Sequence, residues 1–138
     1  MKKNLGGGVL LELSHEIDYL RWILGDEKNI QAFLNNSKTF KGDVEDNAHI
    51  LIQYQNGTIG NLNLDMISKK KVRRFYLVGS RGSIFIDILR NEFKVKINND
   101  KKWKKIKFHF NNVKSTYIDE MKYFVKCIKN KEKPIVNL

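Results

Sequence analysis

Val9-Leu10-Leu11-Glu12-Leu13-Ser14-His15-Glu16-Ile17-Asp18-Tyr19-Leu20-Arg21-Trp22-Ile23-Leu24 is the longest periodic stretch in the first half of this 138-residue chain. Leu10, Leu13, Ile17, Leu20 and Leu24 recur at steps of three and four, which lines them along one side of a continuous helix over residues 9–24. Gly25 reads as its C-terminal stop, and Gly6-Gly7-Gly8 precedes it. Downstream the period changes to two. Ile30, Ala32 and Leu34 alternate with polar neighbours; so do Ala48, Ile50, Ile52 and Tyr54, and then Leu62, Leu64 and Met66. Asn56-Gly57 is a hairpin signal between the last two runs, and Gly60 marks a bulge or a close backbone approach.

The pattern continues with strands over residues 73–78 and 83–88, joined by Gly79-Ser80-Arg81-Gly82. Two more follow, one carrying Phe93, Val95 and Ile97, the other Ile106, Phe108 and Phe110, with Asn98-Asn99-Asp100 between them. A closing helix is predicted over residues 116–129, with Ser115 as N-cap and Asp119 and Glu120 in its first turn. Tyr117, Met121, Phe124, Val125 and Ile128 form its expected buried stripe, and Pro134 ends the pattern. Helix, about seven hairpin-joined strands, then helix is an α+β order. It predicts an open, predominantly antiparallel or mixed sheet with helices packed on one face. The other face carries apolar groups as well, with Leu51, Phe75, Leu77 and Phe85 as candidates on one side or the other, and it is then available for oligomerisation.

Composition narrows the function classes. At 41% hydrophobic and 30% charged, 138 residues make one domain with a real core. No apolar run approaches the roughly 18–20 residues of a membrane span, so no membrane partner is expected. The single cysteine, Cys127, excludes an internal disulfide framework and fits a reducing, cytoplasmic setting. Net charge is +11, which raises the question of nucleic acid. However, 21 Lys, 15 Asn and 15 Ile against 5 Arg resemble the drift of an AT-rich genome, and Arg, the bidentate reader of phosphate and guanine, is not enriched. Residues 1–68 carry −3 and residues 69–138 carry +14. Trp103 among the lysines of residues 101–107 could suit a single strand. An edge hairpin whose lysines oppose aggregation explains the same residues more simply. Nucleic acid is therefore the weaker reading.

Five segments together carry a family resemblance. They are residues 6–22; Val44-Glu45-Asp46-Asn47-Ala48; Asn56-Gly57-Thr58-Ile59-Gly60; Val78-Gly79-Ser80-Arg81-Gly82-Ser83-Ile84; and residues 117–128 followed by Pro134. In this order they resemble the C-terminal domain of the Gfo/Idh/MocA family of NAD(P)-dependent sugar oxidoreductases. The resemblance covers nearly the whole chain. It implies a substrate-binding and oligomerisation domain, a sugar-like small-molecule substrate, and assembly as a dimer or tetramer through the sheet face. It places His15 at the position of the family's acid/base histidine. Glu12, three residues before, and Asp18, three after, become candidates for orienting the ring or contacting a sugar hydroxyl. Glu12 stands where the family usually has aspartate one residue further from the histidine, and Ser14 where glycine is usual.

The resemblance also implies what this stretch of chain does not contain. Gly6-Gly7-Gly8 lacks the preceding strand and the spaced third glycine of a dinucleotide fingerprint. Glu132-Lys133-Pro134 repeats the letters of the family's catalytic Glu-Lys-Pro but follows the last helix. The N-terminal Rossmann domain is thus expected to be absent. NAD or NADP is expected in the full-length enzyme and no cofactor on this chain alone, which would be inactive by itself. A non-catalytic sugar-binding or dimerisation module is the alternative. His49 and His109 read as structural, and three scattered histidines with one cysteine predict no metal site.

Overall fold

A computed structural model describes residues 2–107 and 113–134. They fall into two compact units, residues 1–70 and 71–138. No described helix is long and apolar enough to cross a membrane.

The first unit opens with a 3-10 turn, Lys3–Leu5, followed by α1 (Val9–Glu12) and α2 (Ser14–Leu24). The expected single helix is broken at Leu13, whose φ of −113° and ψ of 24° leave the helical region. The break does not disturb the apolar stripe. Leu10, Leu13, Ile17 and Leu24 all pack against the core, and Leu20 is buried. The chain then makes β1 (Glu27–Asn35), β2 (Asn47–Tyr54) and β3 (Ile59–Asp65), an antiparallel sheet in the order β1-β2-β3. Ile30 pairs with Ile52, Ala32 with Ile50 and Leu34 with Ala48 across one junction, and Ile50 pairs with Leu62 across the next. This register puts Val9, Ala48, Ile50, Ile52, Tyr54 and Leu64 into one core.

The opposite face of this sheet is mixed. It exposes Phe33, Leu51 and Ile59 beside His49, Gln53 and Asn63. The hairpin turns at Gly57, whose N–H donates to the Tyr54 carbonyl at 3.0 Å, and Asn56 Nδ2 donates to the Leu24 carbonyl at 2.9 Å, tying hairpin to helix. Gly60 is a close approach rather than a bulge: pairing runs through it unbroken, and a Cβ there would sit 3.1 Å from the Tyr54 ring.

The second unit holds β4 (Arg74–Gly79), β5 (Gly82–Asp87), β6 (Glu92–Ile97) and β7 (Lys104–Lys105), antiparallel in that order, and α3 (Val113–Asn130). The order is the expected α+β one with open antiparallel pairing throughout the described strands, and these seven strands are divided between two sheets. Asp65 accepts the N–H groups of Ile67 and Ser68, turning the chain, and exposed Lys69-Lys70-Lys71 follows before β4 begins. At the β4–β5 turn Gly82 adopts a φ of 150°, and a Cβ there would overlap the Lys96 carbonyl, so only glycine fits.

Other expectations change here. The last strand is described only as Lys104–Lys105, while Phe108, His109 and Phe110 lie outside the described residues. Lys104 and Lys105 do form the edge, paired with Asp100 at 2.8 Å and Glu92 at 3.6 Å. Ser115 is not an N-cap, because α3 begins at Val113, and no acidic residue lies in its first turn. The predicted stripe of α3 is exposed, from 41% at Val125 to 68% at Tyr117, while Cys127 is buried. Helical periodicity sets which residues share a face. Burial requires a covering surface, which periodicity does not report.

Candidate functional site

His15 is the second residue of α2, and half of its side chain is exposed. Its Nε2 lies 3.1 Å from Glu16 Oε1. Glu16 sits four residues before Leu20 and three after Leu13, on the apolar stripe, and its side chain is only 12% exposed. Its place in the first turn of α2 also sets its negative charge against the positive end of the helix.

Glu12 and Asp18 are both exposed and flank this pair. Glu12 ends α1, so the Leu13 break separates it from His15, and the two do not share one continuous helical face. Asp18 acts on Arg21, one turn further on. The Arg21 guanidinium is held above its ordinary value chiefly by its hydrogen bond to Asp26 (2.7 Å from Nη2), then by Glu27, with Asp18 adding to the effect. The carboxylate brought onto the imidazole is Glu16's. Neighbouring residues on a helix do not normally face each other, which hides this pair from a reading by helical spacing. A carboxylate on an apolar stripe, read as an anomaly, would have revealed it.

The glycine run beside this site has a structural partner. The Glu45 carbonyl accepts the Val9 N–H at 3.0 Å, and its carboxylate accepts the Leu10 N–H at 3.4 Å. Gly8 has a φ of 124°, and a Cβ there would overlap that carboxylate. Of the amides that open α1, the Val9 N–H is thus taken by the Glu45 backbone carbonyl and the Leu10 N–H by its carboxylate. A dinucleotide pyrophosphate would have to displace Glu45, so the residues around Gly6-Gly7-Gly8 do not fit NAD or NADP.

Asp46 next door is buried and serves the sheet. Its carboxylate accepts the Ser37 N–H at 3.0 Å, the Ser37 hydroxyl at 2.5 Å and Asn47 Nδ2 at 3.0 Å. The Ser37 hydroxyl first, then backbone and Asn47 donors, hold it below the usual carboxylate range against the opposing effect of burial. His49 stands on the outer sheet face with Nδ1 2.6 Å from Asn63 Oδ1. Among the described residues, no group of three or more His, Cys, Asp or Glu side chains is arranged to hold a metal ion.

Residues 1–85 match the GFO/IDH/MocA C-terminal domain. The chain belongs to this family. Among curated proteins, this GFO/IDH/MocA domain is 27% identical over 146 residues to the myo-inositol 2-dehydrogenase of Thermotoga maritima, covering 96% of the chain and 42% of that protein. Among solved structures it resembles the UDP-N-acetylglucosamine 3-dehydrogenase GnnA of Acidithiobacillus ferrooxidans, with a TM-score of 0.78 at 18% identity over 95% of the chain. It also resembles a levoglucosan dehydrogenase in complex with NADH and levoglucosan, with a TM-score of 0.78 at 21% identity over 89% of the chain. In each structure it spans 41% of the solved chain. These identities carry the likeness of fold.

Proposed function

We propose that this domain is the substrate-binding part of an oxidoreductase acting on a sugar or sugar derivative, with His15 as its acid/base group. The observation supporting this reading is the exposed imidazole at the start of α2, one nitrogen against a carboxylate, in a chain of the GFO/IDH/MocA family. A hydroxyl that becomes a carbonyl must give up its proton. A neutral imidazole can take that proton, and return it in the reverse direction. Exposed Glu12 and Asp18 are proposed to accept hydrogen bonds from hydroxyls of the sugar. The proteins it resembles are named for inositol, UDP-N-acetylglucosamine and levoglucosan, all polyhydroxylated rings.

NAD or NADP is proposed as the redox partner of the whole enzyme, held on a separate nucleotide-binding domain, since Glu45 occupies the place where this chain's glycine run could otherwise take a phosphate. The outer face of β1-β2-β3, with Phe33, Leu51 and Ile59 exposed, is proposed as the surface through which copies associate into a dimer or tetramer.

The test of the catalytic reading is His15→Ala in a protein that joins this chain to a nucleotide-binding domain. Turnover should fall by about 10²–10⁴, the usual contribution of a positioned acid/base group, with KM little changed. Unchanged turnover would remove His15 from the reaction.

A further inference from the structure

We propose that Glu16 is a positioning residue that fixes His15 in one tautomer and leaves Nδ1 as its working nitrogen. A carboxylate only accepts hydrogen bonds, so the imidazole nitrogen 3.1 Å from Glu16 Oε1 carries the proton. That nitrogen is Nε2, and in the neutral ring the basic lone pair then sits on Nδ1. The two side chains differ in the way this arrangement needs. Glu16 is largely buried on the stripe between Leu13 and Leu20, so its carboxylate is held by packing, and partial burial strengthens its hydrogen bond. The His15 side chain is 52% exposed and can meet a ligand. That Nδ1 does the chemistry rests on the acid/base reading of His15; the tautomer does not.

His49 supplies a contrast within the same chain. Its Nδ1 lies 2.6 Å from Asn63 Oδ1, an acceptor, so there the proton belongs on Nδ1. The two histidines should hold opposite tautomers, for a local reason in each case.

The experiment is two-bond ¹H–¹⁵N correlation of the imidazoles in the 138-residue chain, at a pH where the rings are neutral. His15 should carry its proton on Nε2 and His49 on Nδ1. In Glu16→Ala the His15 tautomer ratio should fall by about tenfold, the effect of losing one charged hydrogen bond, while His49 stays as it was. Glu16→Gln keeps the length and an acceptor oxygen, so it should retain most of the preference. An unchanged His15 ratio in folded Glu16→Ala overturns the proposal. If that variant does not fold, the unsubstituted chain and Glu16→Gln still decide, and a neutral His15 protonated on Nδ1 in either overturns it. Turnover in His15→Ala tests the acid/base reading separately. Normal turnover there sinks that reading and with it the working role of Nδ1, whereas a wrong tautomer sinks Glu16's role alone.

Discussion

The two units use the same antiparallel hairpins and bury them very differently. In residues 1–70, β2 alternates cleanly, with Ala48, Ile50, Ile52 and Tyr54 at most 5% exposed on one side. In residues 71–138, β5 and β6 are half-buried on both faces, and the apolar stripe of α3 is exposed. The first unit's helices are stitched to its sheet. Val9 at the start of α1 donates to the Glu45 carbonyl just before β2, and Asn56 in the β2–β3 turn donates to the Leu24 carbonyl at the end of α2. At the end of α3 the described turn bonds run from the Lys131 N–H to the Ile128 carbonyl and from the Glu132 N–H to the Cys127 carbonyl, both within the helix's own C-terminal turn. An amphipathic period is thus a statement about faces, and cross-links to a sheet turn a face into a core.

The largest effect that separates the two units is a truncation on each sheet. Ile52→Ala, at 2% exposure, should cost about 2–5 kcal/mol, while Tyr76→Ala, at 62% exposure, should cost well under half as much. Urea unfolding of both variants measures this, and equal losses would erase the contrast. An intermediate effect is expected in acid. Asp87 in the second unit is held below the usual carboxylate range first by Arg74, whose Nε lies 2.6 Å away, as Asp46 in the first is held by the Ser37 hydroxyl.

A lowered folded pKa gives stability that is present above the unfolded value of about 3.9 and lost as pH falls through the folded one. Asp87→Asn and Asp46→Asn should each lower the melting midpoint at pH 7 and matter progressively less below about pH 4. Added salt should shrink the Asp87 effect and spare that of Asp46, because only the first is an ion pair. Thermal scans across pH and salt test both, and a pH-independent penalty would contradict the assignment. The smallest effect is expected on the α3 stripe. Met121→Lys, at 60% exposure, should change stability by less than about 0.5 kcal/mol, and a loss above about 2 kcal/mol in a denaturant titration would mean that the stripe is covered.

Most of the first unit was legible from residue pattern. The stripe of Leu10, Leu13, Ile17, Leu20 and Leu24, the alternation of β2 and the Asn56-Gly57 turn each have a local cause, and the structure places them as read. The break at Leu13 was not legible, because it leaves the apolar spacing intact. The division into two sheets was not legible either: Asp65 accepts the Ile67 and Ser68 N–H groups in the turn after β3, a side-chain-to-backbone contact that no period reports. At the candidate site, His15 was singled out through its setting in the helix-opening motif. Glu16 was missed because adjacent helical residues normally diverge, and Glu45 because its partner is a glycine 37 positions earlier whose contribution is an absent side chain.

Asp46 ties three strand ends at one point. Its carboxylate holds Ser37 just beyond β1, its N–H donates to the Asn35 carbonyl, and its carbonyl accepts Met66 just beyond β3. The loop over residues 38–43 therefore leaves and re-enters the sheet through a closed neck. Lengthening a loop whose ends are already fixed adds only slowly to its closure entropy. Residues 38–43 are therefore expected to accept a change of length at little cost to the strand ends that Asp46 holds.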